Sequence, residues 1–296
     1  MKSSTLKINH WLSLIKFSHT IFALPFAIIG FLLGIQEINA LPSWFLLLKI
    51  IACMVFARSA AMAFNRYIDK NYDAKNARTA VREIPAGIIK ENEALIFICI
   101  NCFLFVVTTF FINSICFYLS PVALIVILGY SLTKRFTFLC HIILGLGLSL
   151  APIGAYLAVT AHFDWLPLFF SFAVLFWTGG FDIIYALQDE EFDKGMNLHS
   201  IPVKLGKKGG LMVSSIPHFF TALFLIIAGI YGEYSWIYFT GTFVFLSLLI
   251  YQHSIVSPTD LSRVNLAFGT TNGIASVVFS FFYLLEFLFS LRFNFI

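Results

Sequence analysis

Residues 168–177 read Leu168-Phe-Phe-Ser-Phe-Ala-Val-Leu-Phe-Trp177, and residues 21–33 read Ile21-Phe-Ala-Leu-Pro-Phe-Ala-Ile-Ile-Gly-Phe-Leu-Leu33. Neither stretch offers the polar stripe that a helix lying on a soluble core turns toward water, so both read as helices apolar nearly all round. Composition says what surrounds them. Of 296 residues, 59% are hydrophobic and 11% are charged, whereas a soluble domain carries about 25% charged residues. The solvent is a lipid bilayer. The 36 Phe residues suit the bilayer centre and point to no activity of their own.

Windows of about 20 mainly apolar residues, the length that crosses a bilayer, fall near 13–35, 42–67, 92–112, 115–131, 138–160, 165–187, 210–231, 235–252 and 266–290, which gives nine expected spans. The run at 21–35 has no small-residue cleavage site and reads as the first span rather than as a signal. Lys and Arg alternate with this count. They occur at Lys2 and Lys7, then from Arg66 to Lys90, at Lys134 and Arg135, from Lys194 to Lys208 and at Arg263, while the loops around Glu37, Ser114, Asp164 and Glu233 have none. Positively charged short loops stay cytoplasmic, so the N-terminus is expected inside and the C-terminus outside, in an inner (cytoplasmic) membrane. Cys53, Cys99, Cys102, Cys116 and Cys140 lie in or beside apolar stretches and read as packing residues.

Almost half of the 15 acidic residues lie in two short segments. The first is Asn65-Arg-Tyr-Ile-Asp69-Lys-Asn-Tyr-Asp73, and the second is Asp182-Ile-Ile-Tyr185-Ala-Leu-Gln-Asp189-Glu-Glu-Phe-Asp193. Positions four apart stack on one helix face, which groups Asn65 with Asp69 and Asp73, and Asp182 and Tyr185 with Asp189 and Asp193. Like charges at that spacing repel and call for a counter-cation. Mg²⁺ is the natural one, because it takes oxygen ligands and is held by one or two carboxylates together with substrate phosphates. Both segments fall at the inner ends of the second and sixth expected spans, so both face the same side of the membrane. Cations follow each of them: Arg78 and Arg82 in the first loop, and Tyr130 with Lys134 and Arg135 after the fourth span. A diphosphate leaving group needs such partners as charge builds on its oxygens. Arg58, two helical turns before Asn65, is either an anchor for a substrate carboxylate or an internal partner of Asp69 or Asp182.

On these residues the chain resembles the UbiA superfamily of intramembrane prenyltransferases, especially its 4-hydroxybenzoate polyprenyltransferase-like members of quinone biosynthesis. The motifs that carry the resemblance are Asn65-x3-Asp69-x3-Asp73, Arg78-Thr79 with Arg82 and Pro85, Tyr130-x3-Lys134-Arg135, and Asp182-x2-Tyr185-x3-Asp189-x3-Asp193. The resemblance implies one domain over 1–296: an all-α integral membrane bundle of nine transmembrane helices around a central cavity, with a cytoplasmic cap. It implies Mg²⁺ at Asn65, Asp69, Asp73, Asp182, Asp189 and Asp193, with Asp189, Asp69 and Asp182 central to catalysis. Arg78, Arg82, Tyr130, Lys134 and Arg135 would hold the diphosphate, and Arg58, Tyr185 and Lys16 the acceptor. The substrates implied are a polyprenyl diphosphate and an aromatic acid, and no nucleic-acid partner is expected. Ala77 stands where the family often has Pro, and Lys16 where it often has Arg. The stretch 59–64 looks most like a subgroup that uses a dihydroxynaphthoate acceptor in menaquinone formation. A secondary transporter, which also gathers carboxylates for ions, is the rival from another class. Its sites usually lie near the midplane, whereas these acids sit at inner helix ends.

Overall fold

The computed structural model describes residues 10–15, 22–39 and 41–293. Each expected span holds a helix, and the helices are labelled in chain order: α1 (Leu24–Glu37), α2 (Trp44–Asp73), α3 (Glu91–Phe110), α4 (Ser114–Thr133), α5 (Cys140–Thr160) and α6 (Trp165–Ala186). A 3-10 turn (Leu187–Asp189) leads into the short α7 (Glu190–Gly195), followed by α8 (Ile201–Tyr231) and α9 (Trp236–Ile255). A π-turn (Leu266–Thr271) opens α10 (Asn272–Phe293). Among the described residues, 7 helical runs are long and apolar enough to cross a membrane. The 14-residue α1 and the 20-residue α9 fall outside that group.

Local chemistry sets the boundaries. Ser43, Asn113, Asp164, Ser200 and Ser235 each accept a backbone N–H from the first turn of the helix that follows, satisfying donors that have no partner inside the helix. Helix α1 begins at Leu24, within the expected span, with Pro25 in its opening turn, where the missing N–H does no harm. Residues 10–15 pack separately: Leu14 is buried against Ala63, Ile84 and Ile98, and Trp11 stacks on Phe97 at 4.6 Å. Conversely, α8 begins at Ile201 rather than near 210, with Ser200 as its cap and Pro202 in the first turn. Lys204, Lys207 and Lys208 had hidden this start from an apolarity window. Gly206, at φ 73° and ψ 171°, breaks α8 after that first turn, a conformation open to glycine at little cost.

Close helix contacts rest on small residues, as in other membrane bundles. A methyl group at Gly30 would lie 2.0 Å from the Pro152 carbonyl, and one at Gly145 would lie 2.2 Å from the Leu175 carbonyl. The interior is lopsided. Phe26, Trp177, Phe245 and Phe279, from α1, α6, α9 and α10, form an aromatic cluster with contacting ring centres 5.4 to 6.3 Å apart. Trp177 donates from Nε1 to Asn272 Oδ1 at 2.8 Å, and Asn272 donates to the Phe268 carbonyl at 2.9 Å, which ties this cluster to the π-turn. On the other side, α2, α4 and α5 pack around open space. Outward, residues such as Ile125, Phe243 and Ile250 are more than two-thirds exposed, a surface suited to lipid rather than water.

Candidate active site

Helix α2 runs unbroken through the first acidic segment, so Asn65, Asp69 and Asp73 do share a face, and Asn65 Nδ2 donates to Asp69 Oδ2 at 3.1 Å. The second segment differs from the single stripe expected of it. Helix α6 ends at Ala186, the 3-10 turn carries Asp189, and Asp193 lies on α7. A 3-10 turn advances by three residues instead of 3.6, so spacing alone no longer places Asp182 and Asp193 on one line.

Even so, the two segments meet. Asn65, Asp69, Asp73, Asp182, Asp189 and Asp193 all line one polar cavity of about 310 Å³. Arg58, Arg78, Arg82, Lys134 and Arg135 line it too, as do Tyr130 and Tyr185. Lys16 lies outside the described residues. A second, apolar cavity of about 400 Å³ lies between α2, α4 and α5 and reaches Ile112 and Phe163 at the far end of the bundle. The two share Arg58, Met62, Tyr130, Leu144 and Leu148 in their linings, so a charged chamber and a greasy chamber meet at Arg58 and Tyr130.

Each carboxylate in the polar chamber has a basic partner. Arg82 Nη1 contacts Asp73 Oδ1 at 2.6 Å and Oδ2 at 2.8 Å. Arg78 Nη2 contacts both oxygens of Asp189 at 2.7 Å and its Nη1 donates to the Tyr185 hydroxyl at 3.3 Å. Lys134 Nζ lies 2.6 Å from Asp193 Oδ2. Arg135 donates to Asp69 Oδ1 at 3.3 Å and to the Ile68 carbonyl at 2.9 Å. Asp182 Oδ2 lies 2.7 Å from His141 Nδ1. Burial disfavours the charged forms of Lys134 and Arg78, but Asp193 and Asp189 more than offset it, so both stay cationic above their ordinary range. The repulsion that called for a metal at the level of sequence is thus already offset by side chains.

The donor set still fits Mg²⁺. It is made of carboxylate and amide oxygens, the hard ligands that cation takes. Among the described residues no three His, Cys, Asp or Glu side chains converge closely enough to hold a metal alone. Two lining residues escaped the sequence reading. His141 and Arg66 are buried in the wall of the polar cavity, and the available signal was an ionisable side chain within or at the end of an apolar span.

A model of the UbiA prenyltransferase family matches residues 23–285. The chain is 30% identical over 247 residues to a 4-hydroxybenzoate octaprenyltransferase of Aliivibrio salmonicida (strain LFI1238), covering 81% of this chain and 84% of that protein. It is 29% identical over 246 residues to the one of Aliivibrio fischeri (strain MJ11), again covering 81% and 84%. Among solved structures, the apo form of a UbiA homolog from Aeropyrum pernix K1 superposes with a TM-score of 0.81 at 28% identity, over 90% of this chain and 98% of that one. A UbiA homolog from Archaeoglobus fulgidus bound to GPP and Mg²⁺ shares the fold, with a TM-score of 0.69 at 21% identity over 94% and 99%.

Proposed function

The chain belongs to the UbiA prenyltransferase family and is a multi-pass membrane prenyltransferase, and on that premise we propose that it joins a polyprenyl group to a 4-hydroxybenzoate-like aromatic acid, with Mg²⁺, releasing pyrophosphate. The observation that supports this reading is the meeting of the two chambers: oxygen ligands and cations on one side of Arg58 and Tyr130, a dry apolar space on the other. A polyprenyl diphosphate has those two halves. The relatives named for 4-hydroxybenzoate point to the acceptor class, and an ion transporter has no support in this family.

In this scheme Asn65, Asp69, Asp73, Asp182 and Asp189 hold Mg²⁺, with Asp193 beside them, and Arg78, Arg82, Lys134 and Arg135 hold the diphosphate. Bound Mg²⁺ supplies Lewis-acid stabilisation of the departing phosphate oxygens. The protein cations add fixed positive charge where negative charge grows as the allylic C–O bond breaks. Tyr130 lies at the point where diphosphate gives way to tail. Arg58 presents its planar fork to the acceptor carboxylate, and Tyr185, packed against Phe268 with ring centres 4.2 Å apart and planes tilted by 34°, flanks the ring. The apolar chamber keeps water from the allylic carbon until the ring carbon attacks, and Asp189 accepts the ring or phenolic proton. The scheme includes nine crossings in one domain, with the loop 74–90 as a cap on the cytoplasmic side of the inner membrane, the N-terminus inside and the C-terminus outside.

The test offers the purified full-length protein Mg²⁺, a prenyl diphosphate and either 4-hydroxybenzoate or a dihydroxynaphthoate, and follows pyrophosphate and the prenylated acid by mass spectrometry. Product with 4-hydroxybenzoate is expected. Product with the naphthoate alone would move the assignment to the menaquinone branch, and no pyrophosphate with either acceptor would remove it.

A further inference from the structure

Four of the five carboxylates above face Arg or Lys, and Asp182 alone faces a histidine. His141 is the second residue of α5 and is 2% exposed. It reaches Asp182 on α6 because those helices pack closely: a methyl group at Gly145 would lie 2.2 Å from the Leu175 carbonyl, and one at Gly179 would lie 2.7 Å from Ile142 Cδ1. Its two nitrogens have different partners. Nδ1 lies 2.7 Å from Asp182 Oδ2, and Nε2 takes a long 3.4 Å hydrogen bond from the backbone N–H of Ile201, the first residue of α8. Nδ1 therefore faces the carboxylate and Nε2 faces the backbone, so the ring is clamped between α6 and the start of α8.

We infer that His141 is a positioning residue for the metal: from the buried wall of the polar cavity it fixes the orientation of the Asp182 carboxylate by one of its oxygens. The inference rests on the assignment of Asp182 as a metal ligand. Hydrogen-bonded partners of metal-binding carboxylates typically contribute 10- to 100-fold in metal affinity. The ring also ties this carboxylate to the first turn of α8, and the neighbouring His199 backbone N–H donates to the Lys134 carbonyl at 2.7 Å. Asp182 and the Lys134 backbone are thereby braced from the same short segment.

The test is Mn²⁺ binding, read by electron paramagnetic resonance of the free ion, on full-length protein in nanodiscs with inorganic pyrophosphate present. His141→Leu should weaken binding about 10- to 100-fold and raise the Mg²⁺ concentration for half-maximal rate, with kcat at saturating Mg²⁺ changed much less. His141→Asn, whose amide can donate from near the Nδ1 position, should restore most of the affinity; His141→Gln, which mimics Nε2, should not. Normal Mn²⁺ binding by His141→Leu beside weakened binding by Asp182→Asn would overturn the role of His141 and leave the metal assignment standing. Normal binding by Asp182→Asn would overturn that assignment itself. If His141→Leu does not fold, the other two variants decide: affinity kept by Asn and lost by Gln supports the inference, and the reverse overturns it.

Discussion

Arg78 and Asp189 are 111 residues apart in sequence, and the guanidinium contacts both carboxylate oxygens at 2.7 Å. This one pair joins the loop after α2 to the 3-10 turn after α6, the two places from which the acids enter the cavity. Because Arg78 also reaches the Tyr185 hydroxyl, Arg78→Ala loses three contacts at once. We expect kcat/KM for the prenyl diphosphate to fall roughly 100-fold, the scale of one lost donor at a developing anion. Arg78→Lys should recover only part, since an ammonium has one nitrogen where Arg78 uses Nη2 for Asp189 and Nη1 for the Tyr185 hydroxyl. Steady-state kinetics with each substrate varied in turn checks this.

Arg58 sits where the chambers meet. Losing a hydrogen bond to a charged group removes about 1.5–3 kcal/mol, so Arg58→Ala should raise the acceptor KM about 10- to 100-fold and change the diphosphate KM little. Equal effects on both would remove the acceptor role.

Asp69 is held by Asn65 and Arg135. Asp69→Asn keeps the shape and removes the charge, so product formation should fall at least about 100-fold while the protein still inserts and runs as a single peak on gel filtration. Chelation should silence the wild type reversibly, and pyrophosphate should raise its melting temperature only when Mg²⁺ is present.

Gly154 lines the apolar chamber with nothing within 4 Å of the position its Cβ would take. Gly154→Phe should therefore fill tail space without a clash. Turnover of geranyl diphosphate should stay within a few-fold of wild type, and that of long-chain donors should drop about 10- to 200-fold. A product profile across donors of increasing length reads this out.

Glu286 is buried on α10 and accepts from Ser235 N at 2.9 Å, Ser235 Oγ at 2.5 Å and Tyr238 N at 3.3 Å. It caps the start of α9 from another helix. Glu286→Ala leaves these donors without an acceptor, and should cost about 1–3 kcal/mol, seen as a lower melting temperature with near-normal KM values.

Fold class was legible because lipid demands long apolar helices, and the acids were legible because charge is rare in such helices. What escaped was geometry made by breaks in regular structure. The 3-10 turn at Leu187–Asp189 interrupts the helix between Asp182 and Asp193, and i+4 spacing cannot foresee that. The partners of the acids were hidden for a different reason. Arg78 and Arg82 stand in a loop, Lys134 and Arg135 follow α4, and His141 opens α5, so their pairing depends on how helices distant in sequence pack. His141 stands at the start of an apolar span, and its pairing with Asp182 depends on how closely α5 and α6 pack at Gly145 and Gly179.

Arg58 and Tyr130 border both cavities, and for a donor with an ionic head and an oily tail that shared rim acts like the meniscus between two immiscible liquids. The molecule settles with its seam at the boundary whatever the length of the oil. The bond to be cut is then located by partition, without any group having to read the far tip, so homologous donors of every length that fits would be cleaved at the same carbon.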